Sequence, residues 1–321
     1  MAVSVLAATG LGGCTSAQPT AVVRATPKPV VVVNPLTGLT PSPLGPVVAV
    51  KVDDTAPGRP SMGVDRSDVI YIEEAEGGES RMAVVFASAR PQVRAVRSVR
   101  PSDPELLGPY GKIILVASGG GGSALPTLDR SGLLSSINDR NQVGFYRDNS
   151  LPAPYNLVAD LAKISAAFTS AAGVRDVGFT WSAVDPRLAA AQAAPTVSTL
   201  VGSTKVSFVW DAKLARYVRT VDGARILAAD GAPIAKPNVL VQYCKVTEDR
   251  SDVDVLGSPS MYTTTIGTGQ VVLFRDGKRI VGTWSRPGYG AKTTYKDAAG
   301  KPLLFAPGGT FVVLVRPGAP A

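Results

Sequence analysis

Residues 112–123 read Lys-Ile-Ile-Leu-Val-Ala-Ser-Gly-Gly-Gly-Gly-Ser, an unbroken apolar run that stops in four glycines. An apolar run without alternation predicts a strand covered on both faces, hence a central one. Ser123 then stands where the cap of a following helix would stand, so the stretch reads as strand, glycine turn, helix. A second helix is predicted over 156–171. There Asn156 offers a cap, and Leu157, Leu161, Ile164 and Phe168 recur at helical spacing as a core-facing stripe. Upstream, 47–52, 69–75 and 81–88 have strand patterns, the last two joined by the tight turn Glu76-Gly77-Gly78-Glu79. Strands mixed with helices in this order predict an α/β domain on a mixed sheet over 47–196.

From 197 onward the pattern turns to strands. Residues 205–210 and 216–221 form a hairpin pair, and 271–275 and 278–284 form a clearer one around Asp276-Gly277. Residues 311–315 supply a last strand before a Pro-Gly-Ala-Pro tail. The fold class expected is therefore α+β: an N-terminal mixed-sheet α/β domain and a smaller, mostly-β C-terminal domain over 197–321, with its core at 236–317.

Composition narrows the chemistry. The 321 residues hold 33 Lys plus Arg, 25 Asp plus Glu, two cysteines and no histidine. Without histidine there is no Ser-His-Asp or Cys-His site and no His-metal centre. Two cysteines exclude a disulfide-rich scaffold and a zinc ribbon. The net charge of +8 suits anionic lipid or cell-wall polymer. A nucleic-acid partner would call for basic patches interleaved with exposed aromatics, and only 6% of residues are aromatic, so none is expected.

The N-terminus reads as an address. Residues 1–13 are small and apolar, and Leu11-Gly12-Gly13-Cys14 matches a bacterial lipobox, which makes Cys14 the expected lipidation site. A secretory signal opens with Lys or Arg, and these residues have neither, so the leader is expected to start upstream of Met1. Seven prolines fall from Cys14 through Pro46, a composition that reads as an extended tether over 14–46. The expected location is the extracytoplasmic face of the bacterial cell membrane, with the membrane itself as partner through the lipid. Cys244 has no histidine to activate it and reads as a core thiol.

A series of landmarks follows in order. They are Asn34-Pro35-Leu36-Thr37-Gly38, Val50-Lys51-Val52-Asp53, Ser67-Asp68-Val69-Ile70-Tyr71, Glu76-Gly77-Gly78-Glu79-Ser80-Arg81, Val96-Arg97-Ser98-Val99-Arg100-Pro101 and Ala153-Pro154-Tyr155-Asn156-Leu157. Together with Asn238-Val239-Leu240-Val241-Gln242 and Gly282-Thr283-Trp284, this order resembles the YerB-type bacterial lipoproteins, which carry paired domains of unknown function 3048. The resemblance implies an exported, lipid-anchored protein with no established activity. The chain departs from the family pattern where a histidine is common, at Tyr155 and near Ser118, and in having Ile72 where an acid often follows the tyrosine.

Charge is segregated along the chain. Residues 65–79 carry six acids and one base, whereas 80–101 carry Arg81, Arg90, Arg94, Arg97 and Arg100 and no acid. Neighbouring strands of this kind can form a solvated ladder of ion pairs. Alternatively, some arginines stay unpaired to hold a phosphate or carboxylate through their planar forks. Arg81, Arg97 and Arg100 fall on landmark positions and Arg90 and Arg94 do not. The expected ligand site is therefore Arg81, Arg97 and Arg100, with Asp53 beside them and the backbone of Gly119, Gly120, Gly121 and Gly122 as its floor. The glycine run lacks the P-loop ending, and a plain strand-to-helix turn explains it as well. Asp53-Asp54 with Glu73-Glu74 offers oxygen ligands for a hard cation, but adjacent acids at a strand end also serve as turns. No cofactor and no metal site are assigned.

The function expected is a cell-envelope lipoprotein that binds an anionic or glycan ligand or an envelope protein, and is not an enzyme. The alternative is a metal-dependent enzyme acting on a lipid-linked phosphate. It is prompted by a loose similarity of residues 66–100 to the LytR-CpsA-Psr glycopolymer transferases, and a divalent cation would be its cofactor.

Overall fold

Valine-rich strands dominate the chain. The computed structural model describes residues 1–4, 33–40, 45–254 and 257–321, and residues 32–321 form one compact unit. Nine strands build the body of a mixed sheet: β1 (Val48–Asp53), β2 (Val69–Glu74), β3 (Ser80–Phe86), β4 (Ile114–Ala117), β5 (Leu134–Ile137), β6 (Asn238–Tyr243), β7 (Gly267–Arg275), β8 (Lys278–Arg286) and β9 (Thr310–Val315). Their order across the sheet is β8-β7-β6-β9-β2-β3-β1-β4-β5, with Gln192–Ala193 and Thr294–Asp297 added beside β8. The described residues hold three α-helices, all short: α1 (Asp103–Leu107), α2 (Ala124–Arg130) and α3 (Leu161–Ala167).

The expectation of an N-terminal α/β domain beside a small β domain is overturned. The strand β9 lies in mid-sheet, parallel to both β6 and β2, so strands from the two ends of the chain form one surface. Local patterning revealed the strands but carries no information on which distant strand pairs with which. The helix expected over 156–171 is half strand. Leu157–Asp160 pairs with Gln92–Arg94 and Phe145–Arg147, and only then does α3 begin, capped by Asp160, whose side chain accepts the Lys163 amide at 3.1 Å. Leu157 and Leu161 stand four apart, a spacing that fits a two-residue and a 3.6-residue period alike, and both are buried, as is Ile164. Within the run at 112–117, residues 114–117 form a strand buried on both faces, but β4 stands next to the sheet's end rather than at its centre.

Alternation along the strands makes two cores. Val48, Val50 and Val52 of β1 and Ile70 and Ile72 of β2 face a second, smaller sheet that includes Thr196–Val201, Thr204–Asp211 and Arg216–Val221. That sheet contributes Val197, Val206, Phe208 and Tyr217, and Phe208 meets Phe311 of β9 with ring centroids 4.8 Å apart. The other face carries Ala49, Val69 and Tyr71 under Leu106 and Leu107 of α1. Lys51 and Glu73 project on this second face and are fully buried.

Candidate functional site

The strands β1, β4 and β5 run parallel and end on the same side of the sheet, where ligand clefts of parallel sheets lie. The segment around Arg97 is threaded between these ends. The Asp53 amide donates to Ala95, the Arg97 amide to Lys51, the Ser118 amide to Arg97 and the Val99 amide to Gly119. Beyond them opens a cleft of about 430 Å³. Arg97, Ser98, Arg100 and Arg147 lie on its lining with Ser118 and Gly121, and so do Glu76, Asp139, Asp252 and Ser260. Asp252 and Ser260 belong to a two-stranded ribbon, Val246–Val253 with Pro259–Thr263.

Arg97 is held but not used up. Its Nε lies 3.2 Å from Asp53 Oδ2, and its guanidinium carbon sits 5.6 Å from the centre of the Tyr155 ring. Among the described residues its two terminal nitrogens make no hydrogen bond. Burial lowers its pKa and the neighbouring Arg81 and Arg100 charges add to this, against the pull of Asp53 and Tyr155. An arginine stays protonated through such a shift. The side chain therefore presents a charged, oriented fork to the cleft. Arg147 is similar: its Nη1 donates to Asn156 Oδ1 at 2.8 Å, and no carboxylate pairs with it among the described residues.

The expected arginine trio is only partly gathered. Arg97 and Arg100 share the cleft, but Arg100 is clamped by Glu76 through two contacts of 2.5 Å. Arg81 is not on the cleft lining; it bonds to Glu79 at 3.0 Å and lies 3.9 Å from Asp53. Asp53 thus sits between Arg81 and Arg97 and positions the latter. Arg90 and Arg94 lie elsewhere, on the Pro46 carbonyl and on Asp148. A solvated ion-pair ladder does not form either. Glu73 is opposite Arg81 in register but points to Lys51, and all three side chains are buried.

The glycines have a steric cause. A Cβ on Gly119 would lie 1.9 Å from Asp139 Oδ2, one on Gly121 2.5 Å from Asp252 Oδ1, and one on Gly122 2.0 Å from the Ser251 carbonyl. Gly120 would meet Val99 at 2.7 Å. The run lets the ribbon and the residues after β5 close onto the end of β4. Of the four, Gly121 reaches the cleft lining. Ser123 precedes α2 but does not cap it, donating instead to Asp249 at 2.8 Å.

The acids at the ends of β1 and β2 are taken by separate bases. Asp54 pairs with Arg219 at 2.5 Å, Glu74 with Arg316 at 2.8 and 2.9 Å, and Glu73 with Lys51. Among the described residues no group of three or more acidic, histidine or cysteine side chains is placed to hold a metal ion. Cys244 is buried, and burial pushes its thiol up to about 12, out of the reactive range. Cys14 and most of the proline-rich stretch lie outside the described residues. None of the described helices is long and apolar enough to cross a membrane.

Residues 36–175 match the family model for the N-terminal domain of a protein of unknown function, DUF3048, and residues 196–312 match that for its C-terminal domain. The chain belongs to the YerB-like DUF3048 family. Its fold is also close to that of the YerB protein from Bacillus subtilis, known as a crystal structure. The two are 23% identical with a TM-score of 0.74, over 88% of this chain and 96% of that one. No curated protein matches the sequence.

Several DUF3048 landmarks now have a structural cause. Asn34 Oδ1 accepts the Leu36 amide, Asp68 accepts the amides of Ala87 and Ser88, and Asn238 pins the loop before β9 through Ala306 and Gly309. Two positions where the resemblance led one to expect a histidine are at the cleft: Tyr155 lies under Arg97, and Ser118 lies on the lining, 3.3 Å from the Ser98 hydroxyl. Sequence reading missed Arg147, Asp252 and Ser260. The first lies outside every landmark, and the ribbon residues follow the glycines by more than 120 positions, with no local pattern to link them.

Proposed function

We propose that this DUF3048 protein is a lipid-anchored binding protein of the bacterial cell envelope, whose cleft takes a ligand through a phosphate or carboxylate group. The observation that carries the reading is Arg97, oriented by Asp53 and Tyr155, with both terminal nitrogens unbonded among the described residues. A guanidinium so fixed loses little freedom when it binds a planar or tetrahedral anion. Arg147 supplies a second cation on the same lining. The lipobox at Cys14 and the proline-rich stretch after it support the envelope address.

Calorimetry with pyrophosphate tests the anion site. A hydrogen bond to a charged group contributes about 1.5–3 kcal/mol, so Arg97→Ala should weaken binding roughly ten- to a hundredfold. Arg90→Ala, on the Pro46 carbonyl outside the cleft, should leave binding within about twofold of wild type. Equal affinities for the two variants, or no binding by the wild type, would overturn the reading.

A further inference from the structure

The ribbon wall of the cleft carries a proton problem. Ser260 Oγ lies 2.7 Å from Glu76 Oε1 and 2.6 Å from Asp252 Oδ2. A hydroxyl has one proton to donate, so two ionised carboxylates at these distances would leave one close oxygen pair with no hydrogen between them. One of the two acids must bring a proton of its own. Glu76 is the wrong candidate. Burial pushes its carboxyl up, but Arg100 and the Ser260 hydroxyl outweigh burial and hold it below the usual carboxylate range. Asp252 moves the other way. Burial raises it, and Glu76 and Asp249 add to the rise against Ser260 and Arg100. The charged groups acting on it are thus Arg100 and Glu76, with Asp249 from its own ribbon, and Arg97, Asp139, Arg147 and Asp254 share the lining. The chain of bonds runs from Asp252 Oδ2–H to Ser260, from the Ser260 hydroxyl to Glu76, and from Arg100 to Glu76.

This arrangement leaves Asp252 Oδ1. It belongs to a residue only 3% exposed, it has no hydrogen-bond partner among the described residues, and it lies against Gly121 on the cleft lining. A buried acceptor left empty is costly, and a ligand that fills it is favoured. A fully ionised carboxylate or phosphate has no proton to give. A neutral carboxyl has little pull on an ammonium group, which leaves a hydroxyl as the fitting donor.

We propose that the ligand is a sugar bearing a phosphate or carboxylate, its anionic group on Arg97 and Arg147 and one hydroxyl on Oδ1 of a proton-holding Asp252. The proposal rests on the anion-binding reading of the same cleft. The test is calorimetry on the full chain with glucose 6-phosphate, galacturonate, inorganic phosphate and glucose. The wild type should bind one of the two anionic sugars at least roughly tenfold more tightly than either inorganic phosphate or glucose, and which one it prefers assigns the anion. Asp252→Ala should cost that sugar roughly three- to tenfold and leave inorganic phosphate unchanged, which also shows that the variant is folded. Asp252→Asn should bind like the wild type, because its amide donates to Ser260 and its carbonyl oxygen keeps the place of Oδ1. The proposal is overturned if neither sugar exceeds phosphate, if Asp252→Ala weakens phosphate and sugar alike, or if Asp252→Asn behaves like Asp252→Ala. Failure of inorganic phosphate and both sugars to bind at all would instead sink the anion site beneath it.

Discussion

Replacing Lys51 with methionine tests the most deeply buried charge in the sheet. Lys51 is 0% exposed, and its ammonium donates to Glu73 and, at 2.7 Å, to Asp103 Oδ1. The second Asp103 oxygen accepts the Arg100 amide at 2.6 Å, so this cluster lies directly behind the clamped arginine of the cleft. One ammonium between two buried carboxyls is balanced when one carboxyl keeps a proton. Burial pushes Glu73 up to about 8, against the pull of Lys51 and with Asp103 adding to the rise. The sign for stability follows. Between pH 4.5 and 8 the unfolded chain gives up the Glu73 proton while the folded chain keeps it, so this contribution is full below 4.5 and is lost as pH rises through 8. Removing the ammonium from a buried pair costs about 3–5 kcal/mol. Lys51→Met should therefore lose about that much at pH 8 and clearly less at pH 5, where the carboxyls can take up protons. Glu73→Gln, which mimics the protonated acid, should cost about 1 kcal/mol and flatten the stability profile between pH 5 and 8. Urea unfolding followed by tryptophan fluorescence at both pH values measures all three proteins. The reasoning is refuted if Lys51→Met costs under about 1 kcal/mol at pH 8, or if Glu73→Gln keeps the wild-type pH slope.

Gly122→Ala should destabilise the protein by about 1–3 kcal/mol, since φ is +23° there and a methyl would press on the Ser251 carbonyl; unfolding curves check it. The same variant should also weaken pyrophosphate binding, by pushing the ribbon off the cleft. Cys14→Ser, expressed with its full leader, should leave the membrane fraction, and equal retention of both forms would exclude lipidation. Cys244 should react with a thiol reagent only after unfolding, which a time course with and without urea would show.

What the sequence made legible, and what it hid, divides by distance along the chain. The strands announced themselves because burial on two faces demands uninterrupted apolar residues, as in 112–117 and in β9. Arg97 and Arg100 could be found because they sit in one landmark segment that passes between strand ends. The architecture was hidden because it rests on β9 entering mid-sheet beside β2, a pairing more than 200 residues apart. The partners of the buried acids were hidden for the same reason. Asp54 finds Arg219, Glu74 finds Arg316, Glu76 finds Ser260, and Glu105 accepts the Thr265 amide at 2.6 Å. Each acid stands in the segment matching the N-terminal family model, and each partner stands within or just beyond the C-terminal one. A buried carboxylate without its partner is costly. The first segment therefore depends on the second for electrical balance as well as for the middle of its sheet. The cleft repeats the pattern, with its arginines from one segment and Asp252 and Ser260 from the other. A ligand held between them would tie the two segments together in the same way that the ion pairs do.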